Sequence, residues 1–292
     1  MRKNIWIAFC SVLLTACNSL FYHPDKLSYS LPEQLSQNFA EHRIPVGQKG
    51  ETLHAWHLRT TKQKKGTIVH FHGNAQNMTS HVFFVAWLLD EGYDLVTFDY
   101  RGYGKSDGEV SRESTIEDGI AVLKWTAEKI DPNKIFVVGQ SLGGAIALVA
   151  LSKSEFPAVQ KIVLDSTFPS YRKLAQRKLA SFFLTWPLQW PLSFLVSDNE
   201  SPYDHLETLA RTPWPFFIVH AEGDPVVPYS EGLHLARALE SRAGSKVRFR
   251  TEPSRVHTVC MQSTTRNACM EAVAAFLDDK HSSTQTSEAQ NQ

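Results

Sequence analysis

Six short runs rich in β-branched and aromatic residues alternate with segments whose apolar residues recur at helical spacing, and this alternation restricts the chain more than any other feature. The runs are GTIVHF (66–71), LVTFDY (95–100), KIFVVG (134–139), KIVLD (161–165), PFFIVH (215–220) and KVRFR (246–250). Several are apolar almost throughout, as strands buried on both faces must be. The helical segments are 80–92, 112–130, 142–154 and 230–242, with a final helix over about 264–279. Strands separated by helices in this order predict a mostly parallel sheet with helices on both faces, a three-layer α/β fold. ETLHAWHL (51–58) precedes the first buried strand and reads as an antiparallel addition.

The run KIFVVG leads into GQSLGG and then into the helix LGGAIALVAL, so Ser141 stands in a strand–turn–helix context at G-x-S-x-G spacing. A serine hydroxyl is a poor nucleophile unless a base activates it. A strained turn at Ser141 exposes the hydroxyl, Gly139 and Gly143 keep side chains out of the close approach of strand to helix, and the helix N-terminus favours developing negative charge. The base must be oriented by an acid, and in such a fold the order is Ser, Asp, His. Asp224 in the turn GDPVVP, after the strand 215–220, is the expected acid, with Asp165 at the end of KIVLD as its rival. His257, in the loop after KVRFR, is the expected base; His234 falls within a helix, His281 in the tail and His220 on the strand before the acid.

The oxyanion donors expected are the backbone N–H of Leu142 and that of Asn74, in the loop VHFHGNAQN, where Gly73 lets the chain turn; a shift to Ala75 is the alternative. His70 and His72 have H-x-H spacing, but no partnering cluster of ligands accompanies them, so neither a metal nor another cofactor is expected. DYRGYGKSDG (99–108) reads as a structural loop held by Asp99 and Arg101, with Tyr103 as a candidate pocket residue.

Acidic and basic residues are equal in number, 30 each among 292 residues, so nothing attracts nucleic acid. MRKNIWIAFCSVLLTACNS has a basic start and an apolar run too short to span a bilayer as a mature helix, the pattern of a secretory signal over residues 1–16. Leu14-Thr15-Ala16-Cys17 resembles the bacterial lipobox, which implies a lipid on Cys17, a membrane-anchored protein of the cell envelope and, with Asn18 next, the outer membrane facing the periplasm. Cys260 and Cys269 would then lie in an oxidising compartment, paired or as two buried thiols. The polar tail 280–292 is expected to be disordered.

FYHP (21–24), HGNAQN (72–77), DYRGYGKSDG, GQSLGG (139–144), GDPVVP (223–228) and His257 together resemble the α/β-hydrolase superfamily, in particular its compact bacterial serine hydrolases, which include peptidase-like proteins and lipoproteins. The resemblance spans Phe21 to Leu277 and implies Ser141 as nucleophile, His257 as general base and Asp224 as its orienter. It departs at PSRVHTVC, where Arg255 and Val256 stand where relatives often carry a glycine. The expected domain is 17–279, with a cap insertion at about 166–212. Within that insertion LASFFLTWPLQWPLSFLV (179–196) has no charged residue; Pro187 and Pro191 exclude a membrane-spanning helix. It reads as a cap packed on the core, or as an acyl-binding wall carrying Trp186 and Trp190, or as a surface that dips into a bilayer. The expected activity is cleavage of ester or thioester bonds of a small acyl substrate, with a peptidase or a silent membrane-anchored binding protein as alternatives.

Overall fold

The apolar runs form one eight-stranded sheet in the computed structural model, which describes residues 21–180, 185–260 and 266–279. The expected signal segment, Cys17 and the tail 280–292 lie outside the described residues. The strands are β1 (Phe39–Val46), β2 (Glu51–Leu58), β3 (Gly66–Phe71), β4 (Tyr93–Phe98), β5 (Ile135–Gln140), β6 (Val159–Asp165), β7 (Phe216–Ala221) and β8 (Val247–Glu252), in the spatial order β1-β2-β4-β3-β5-β6-β7-β8. β1–β2 and β2–β4 pair antiparallel and every other pair is parallel. Every residue of β3, β4, β5 and β7 is buried, because adjacent side chains pack into opposite helical layers. Val69, Phe71, Val96 and Val137 meet one layer, while Ile68, Leu95, Phe136 and Val138 meet the other.

The helices are α1 (Met78–His81), α2 (Arg112–Lys129), α3 (Leu142–Ser152), α4 (Tyr171–Ala180), α5 (Gln189–Ser193), α6 (Pro202–Arg211), α7 (Tyr229–Ala243) and α8 (Ala268–Asp278). Val122 of α2, Leu148 of α3, Leu209 of α6 and Leu235 of α7 belong to the first layer; Met78 of α1 and Val273 of α8 belong to the second. This is the three-layer α/β arrangement that the alternation predicts.

Two features differ from expectation. β1 is an added edge strand: FAEHRIPV carries Glu41, His42 and Arg43 and a proline, which an edge tolerates and which hides it from any search for apolar runs. The helix expected over 80–92 is only α1 followed by two 3₁₀ turns, Val82–Phe84 and Ala86–Leu89. Val82, Val85 and Leu88 still face the core, but a run of β-branched and aromatic residues has little intrinsic helix preference.

Candidate active site

Ser141 sits where β5 ends and α3 begins, with φ 51° and ψ −119°, a left-handed conformation that costs a residue with a Cβ about 1–3 kcal/mol. The surroundings hold it there. Its N–H donates to Asp165 O at 2.8 Å, and its carbonyl accepts Thr167 Oγ1 at 2.8 Å. A Cβ on Gly143 would come within 2.2 Å of Phe71 O, and one on Gly139 within 2.6 Å of Gly144 Cα, so α3 can approach the sheet only with glycine at both positions. Among the described residues the Ser141 hydroxyl makes no hydrogen bond.

The same edge of the sheet carries His257 and Asp224. His257 Nδ1 donates to Asp224 Oδ2 at 2.7 Å, which leaves Nε2 as the acceptor. Asp224 Oδ1 accepts the N–H groups of Val226 (2.8 Å) and Val227 (2.9 Å), the turn that GDPVVP predicts. Burial raises the Asp224 carboxyl, but the hydrogen bond and charge of His257, with those two N–H groups, outweigh it and hold Asp224 below the ordinary carboxylate value. The two loops are tied together, since Gly223 N donates to Ser254 O at 2.9 Å. Arg255 fits beside the histidine because Gly223 has no side chain: a Cβ there would lie 2.6 Å from Arg255 Cγ.

Asp165, the rival acid, holds the histidine loop from below. Its Oδ2 accepts Cys260 N at 3.2 Å and its Oδ1 accepts Ser166 Oγ at 3.0 Å, while Thr258 N donates to Ser166 Oγ at 3.0 Å. Cys260 and Cys269 are disulfide-bonded with Cα atoms 5.3 Å apart, which fastens the end of this loop to α8. Of the two states the sequence left open, the structure takes the bridge.

Leu142, at the first turn of α3, follows the serine. In the loop after β3 the left-handed residues are Ala75 (φ 63°) and Gln76 (φ 54°), and Gly73 is not among them. The turn therefore does not depend on Gly73, whose value is close approach: a Cβ there would lie 3.1 Å from His81 Cε1. Asn74 Oδ1 accepts the N–H of Ala75 at 2.7 Å and that of His23 at 2.8 Å. The Ala75 N–H is thus occupied, whereas that of Asn74 has no acceptor among the described residues.

Tyr103 is fully buried and its hydroxyl lies 3.3 Å from Asn74 Oδ1, so it braces the Asn74 loop instead of lining a pocket. Arg101 donates to Asp118 Oδ1 at 2.7 Å and to Ser114 O at 2.9 Å, which makes DYRGYGKSDG a structural loop. His70 is committed to Gln140 Oε1 (2.8 Å) and Thr97 Oγ1 (3.1 Å), and burial lowers its pKa to about 3. His72 Nδ1 donates to Gly73 O at 2.8 Å. No group of three potential metal ligands occurs among the described residues. Trp186 and Trp190 remain 60% and 61% exposed, so neither forms an enclosed acyl wall, one of the readings that the sequence left open. The bracing by the N-terminal segment is not legible in the sequence: FYHP stands out as a motif, but its hydrogen bond to Asn74 joins residues 51 apart.

Asp99, beneath this loop, accepts Met78 N at 2.7 Å, and burial, which this N–H only partly offsets, pushes its carboxyl up to about 7 from 3.8. Between those values the folded chain keeps a proton that the unfolded chain has released, so this group's contribution to stability falls as pH rises from about 4 through 7. Asp118 is pushed to about 7 and acts in the same sense. Melting temperatures recorded from pH 5 to 8 are expected to fall less steeply for Asp99→Asn than for the parent. Identical slopes would show that Asp99 does not titrate in that window.

The family model of the prolyl oligopeptidase family matches residues 80–284, more than half of the chain. The chain belongs to the prolyl oligopeptidase family. It is therefore a hydrolase of the α/β-hydrolase superfamily. It is 28% identical over 236 residues to the uncharacterized protein YfhR of Escherichia coli (strain K12), covering 78% of each. It is also 28% identical over 233 residues to the lysophosphatidylserine lipase ABHD12 of Danio rerio, covering 76% of this chain and 61% of that protein. The fold superposes on the Pyrococcus furiosus esterase Pf2001 with a TM-score of 0.66 at 21% identity, covering 88% of this chain and 95% of that one. It superposes on a highly thermostable carboxyl esterase from Bacillus coagulans with a TM-score of 0.63 at 15% identity, covering 82% and 97%. Among the described residues of this family member, no helix is long and apolar enough to cross a membrane.

Proposed function

We propose that the protein is a serine hydrolase of acyl esters or thioesters, working through Ser141, His257 and Asp224. One observation carries this reading: a left-handed serine at a helix N-terminus shares a sheet edge with a histidine whose Nδ1 is held 2.7 Å from a buried carboxylate. On substrate binding the Ser141 hydroxyl turns to His257 Nε2, since such contacts tighten only in the complex. Ser141 Oγ attacks the acyl carbon as its proton passes to His257, and Asp224 stabilises the imidazolium without taking the proton. The N–H groups of Leu142 and Asn74 hold the oxyanion. Collapse returns the proton to the leaving group and leaves an acyl-serine, which water then cleaves by the same route.

The lipase and esterase relatives support esters; the name of the family supports peptides as a second reading. A fluorophosphonate probe is expected to label Ser141, and p-nitrophenyl esters are expected to turn over faster than amino-acid anilides. Faster anilides would favour the peptidase, and an unlabelled Ser141 would overturn both readings. The lipobox-like LTAC supports acylation of Cys17 and attachment to a bacterial envelope membrane, and Asn18 after it supports the outer membrane facing the periplasm.

A further inference from the structure

The cap between β6 and β7 turns apolar side chains outward. Trp186, Leu188, Trp190, Phe194 and Leu195, five large residues within ten positions, are each more than half exposed. Contiguous apolar surface of this kind is rare on a protein that meets only water. Beside it runs α4 with Arg172, Lys173, Arg177 and Lys178; no acid falls within 171–197, while Asp198, next in sequence, accepts the N–H of Arg172 at 3.1 Å and offsets part of its charge. The helix and the ridge are one surface: the Arg172 guanidinium lies 5.5 Å from the Phe194 ring centre and its Nε donates to Val196 O at 3.2 Å. Arg177 is partly neutralised by Glu231, whereas Lys173 stays exposed.

Two contacts place this surface. Lys178 Nζ donates to Pro225 O at 3.2 Å, next to Asp224, so the basic helix abuts the loop of the candidate acid. The Phe21 ring packs edge-on against Tyr171, the first residue of α4, at 5.2 Å. Cys17 is four residues before Phe21, a reach of at most about 14 Å in an extended chain. A lipid on Cys17 would therefore enter the bilayer close to the base of the cap.

We propose that the ridge 186–195, with the basic face of α4, is a docking surface for an anionic phospholipid bilayer, and that it turns the site edge toward the membrane so that acyl esters are taken from the lipid phase. Tryptophan and leucine beside lysine and arginine suit the interfacial zone, where rings sit at headgroup depth and cations meet lipid phosphates. The docking claim rests on the cap alone; the source of the substrate rests also on the hydrolase reading.

The test uses the full chain on vesicles of brominated phosphatidylcholine, with and without phosphatidylglycerol. Tryptophan fluorescence should be quenched, more strongly with phosphatidylglycerol. Leu188→Ser/Phe194→Ser should lose most of that quenching and about tenfold or more in turnover of a long-chain ester held in the vesicles, since each apolar side chain kept out of the lipid weakens docking. Its cleavage of p-nitrophenyl acetate should be unchanged, which also shows that it folds. Lys173→Glu should remove the phosphatidylglycerol dependence while sparing the apolar ridge. Equal quenching of parent and double variant would overturn the proposal and point to a protein partner or to bare solvent. Quenching that follows the prediction without cleavage of either ester would sink the hydrolase reading and leave the docking surface standing.

Discussion

Replacement of Ser141 by alanine is expected to lower p-nitrophenyl ester turnover by about 10⁴ to 10⁶-fold, or about 5–8 kcal/mol of transition-state stabilisation. The fold should barely change. The contacts that hold position 141 are the main-chain bonds to Asp165 and Thr167, which alanine keeps, and alanine bears the same Cβ penalty at φ 51° as serine does. Ser141→Gly should be equally inactive yet more stable, by about 1 kcal/mol, because it relieves that penalty. Initial rates and thermal melts on the three proteins check this. A loss of less than about tenfold in Ser141→Ala would remove Ser141 from the nucleophile's role.

The second large effect is at Asp224. In Asp224→Asn the side-chain oxygen stays under the N–H groups of Val226 and Val227, so the amide nitrogen faces His257 Nδ1. A donor there forces the imidazole proton onto Nε2, where it cannot accept from Ser141. Turnover should fall by about 10³ to 10⁴-fold with the fold intact. Asp165→Asn should behave differently. That carboxylate accepts Cys260 N and Ser166 Oγ beneath the histidine loop, so its replacement should cost about 1–2 kcal/mol of stability and only modest activity. Rates and melts of the two variants side by side decide between them, and the opposite ranking would transfer the acid's role to Asp165.

Much of the fold and of the candidate site is legible in the chain, because it depends on short-range pattern. Buried parallel strands read as unbroken apolar runs, and β3, β5 and β7 lie within about one residue of those runs. The elbow is legible because strand, GQSLGG and helix follow one another directly, and a turn of that kind has local steric requirements. His257 is legible by order, since only one histidine follows the last strand and precedes the last helix.

The rest was decided by contacts between residues far apart in the chain. Asp165 ends β6 and Asp224 lies in the turn after β7, at the same edge; the turn GDPVVP favours Asp224, but only packing shows which carboxylate meets His257. Pairing of β6 beside β5 puts Asp165 against the backbone of Ser141, and its carboxylate then points to Cys260. Which N–H of the loop after β3 is left without a partner turns on where the Asn74 carboxamide points, and His23 and Tyr103, both remote in sequence, help to hold it. Whether Cys260 and Cys269 join depends on how closely α8 packs against the loop. The orientation of Trp186 and Trp190 is of the same kind: an apolar run shows that burial would be favourable, but only packing shows whether any protein surface is there to bury it.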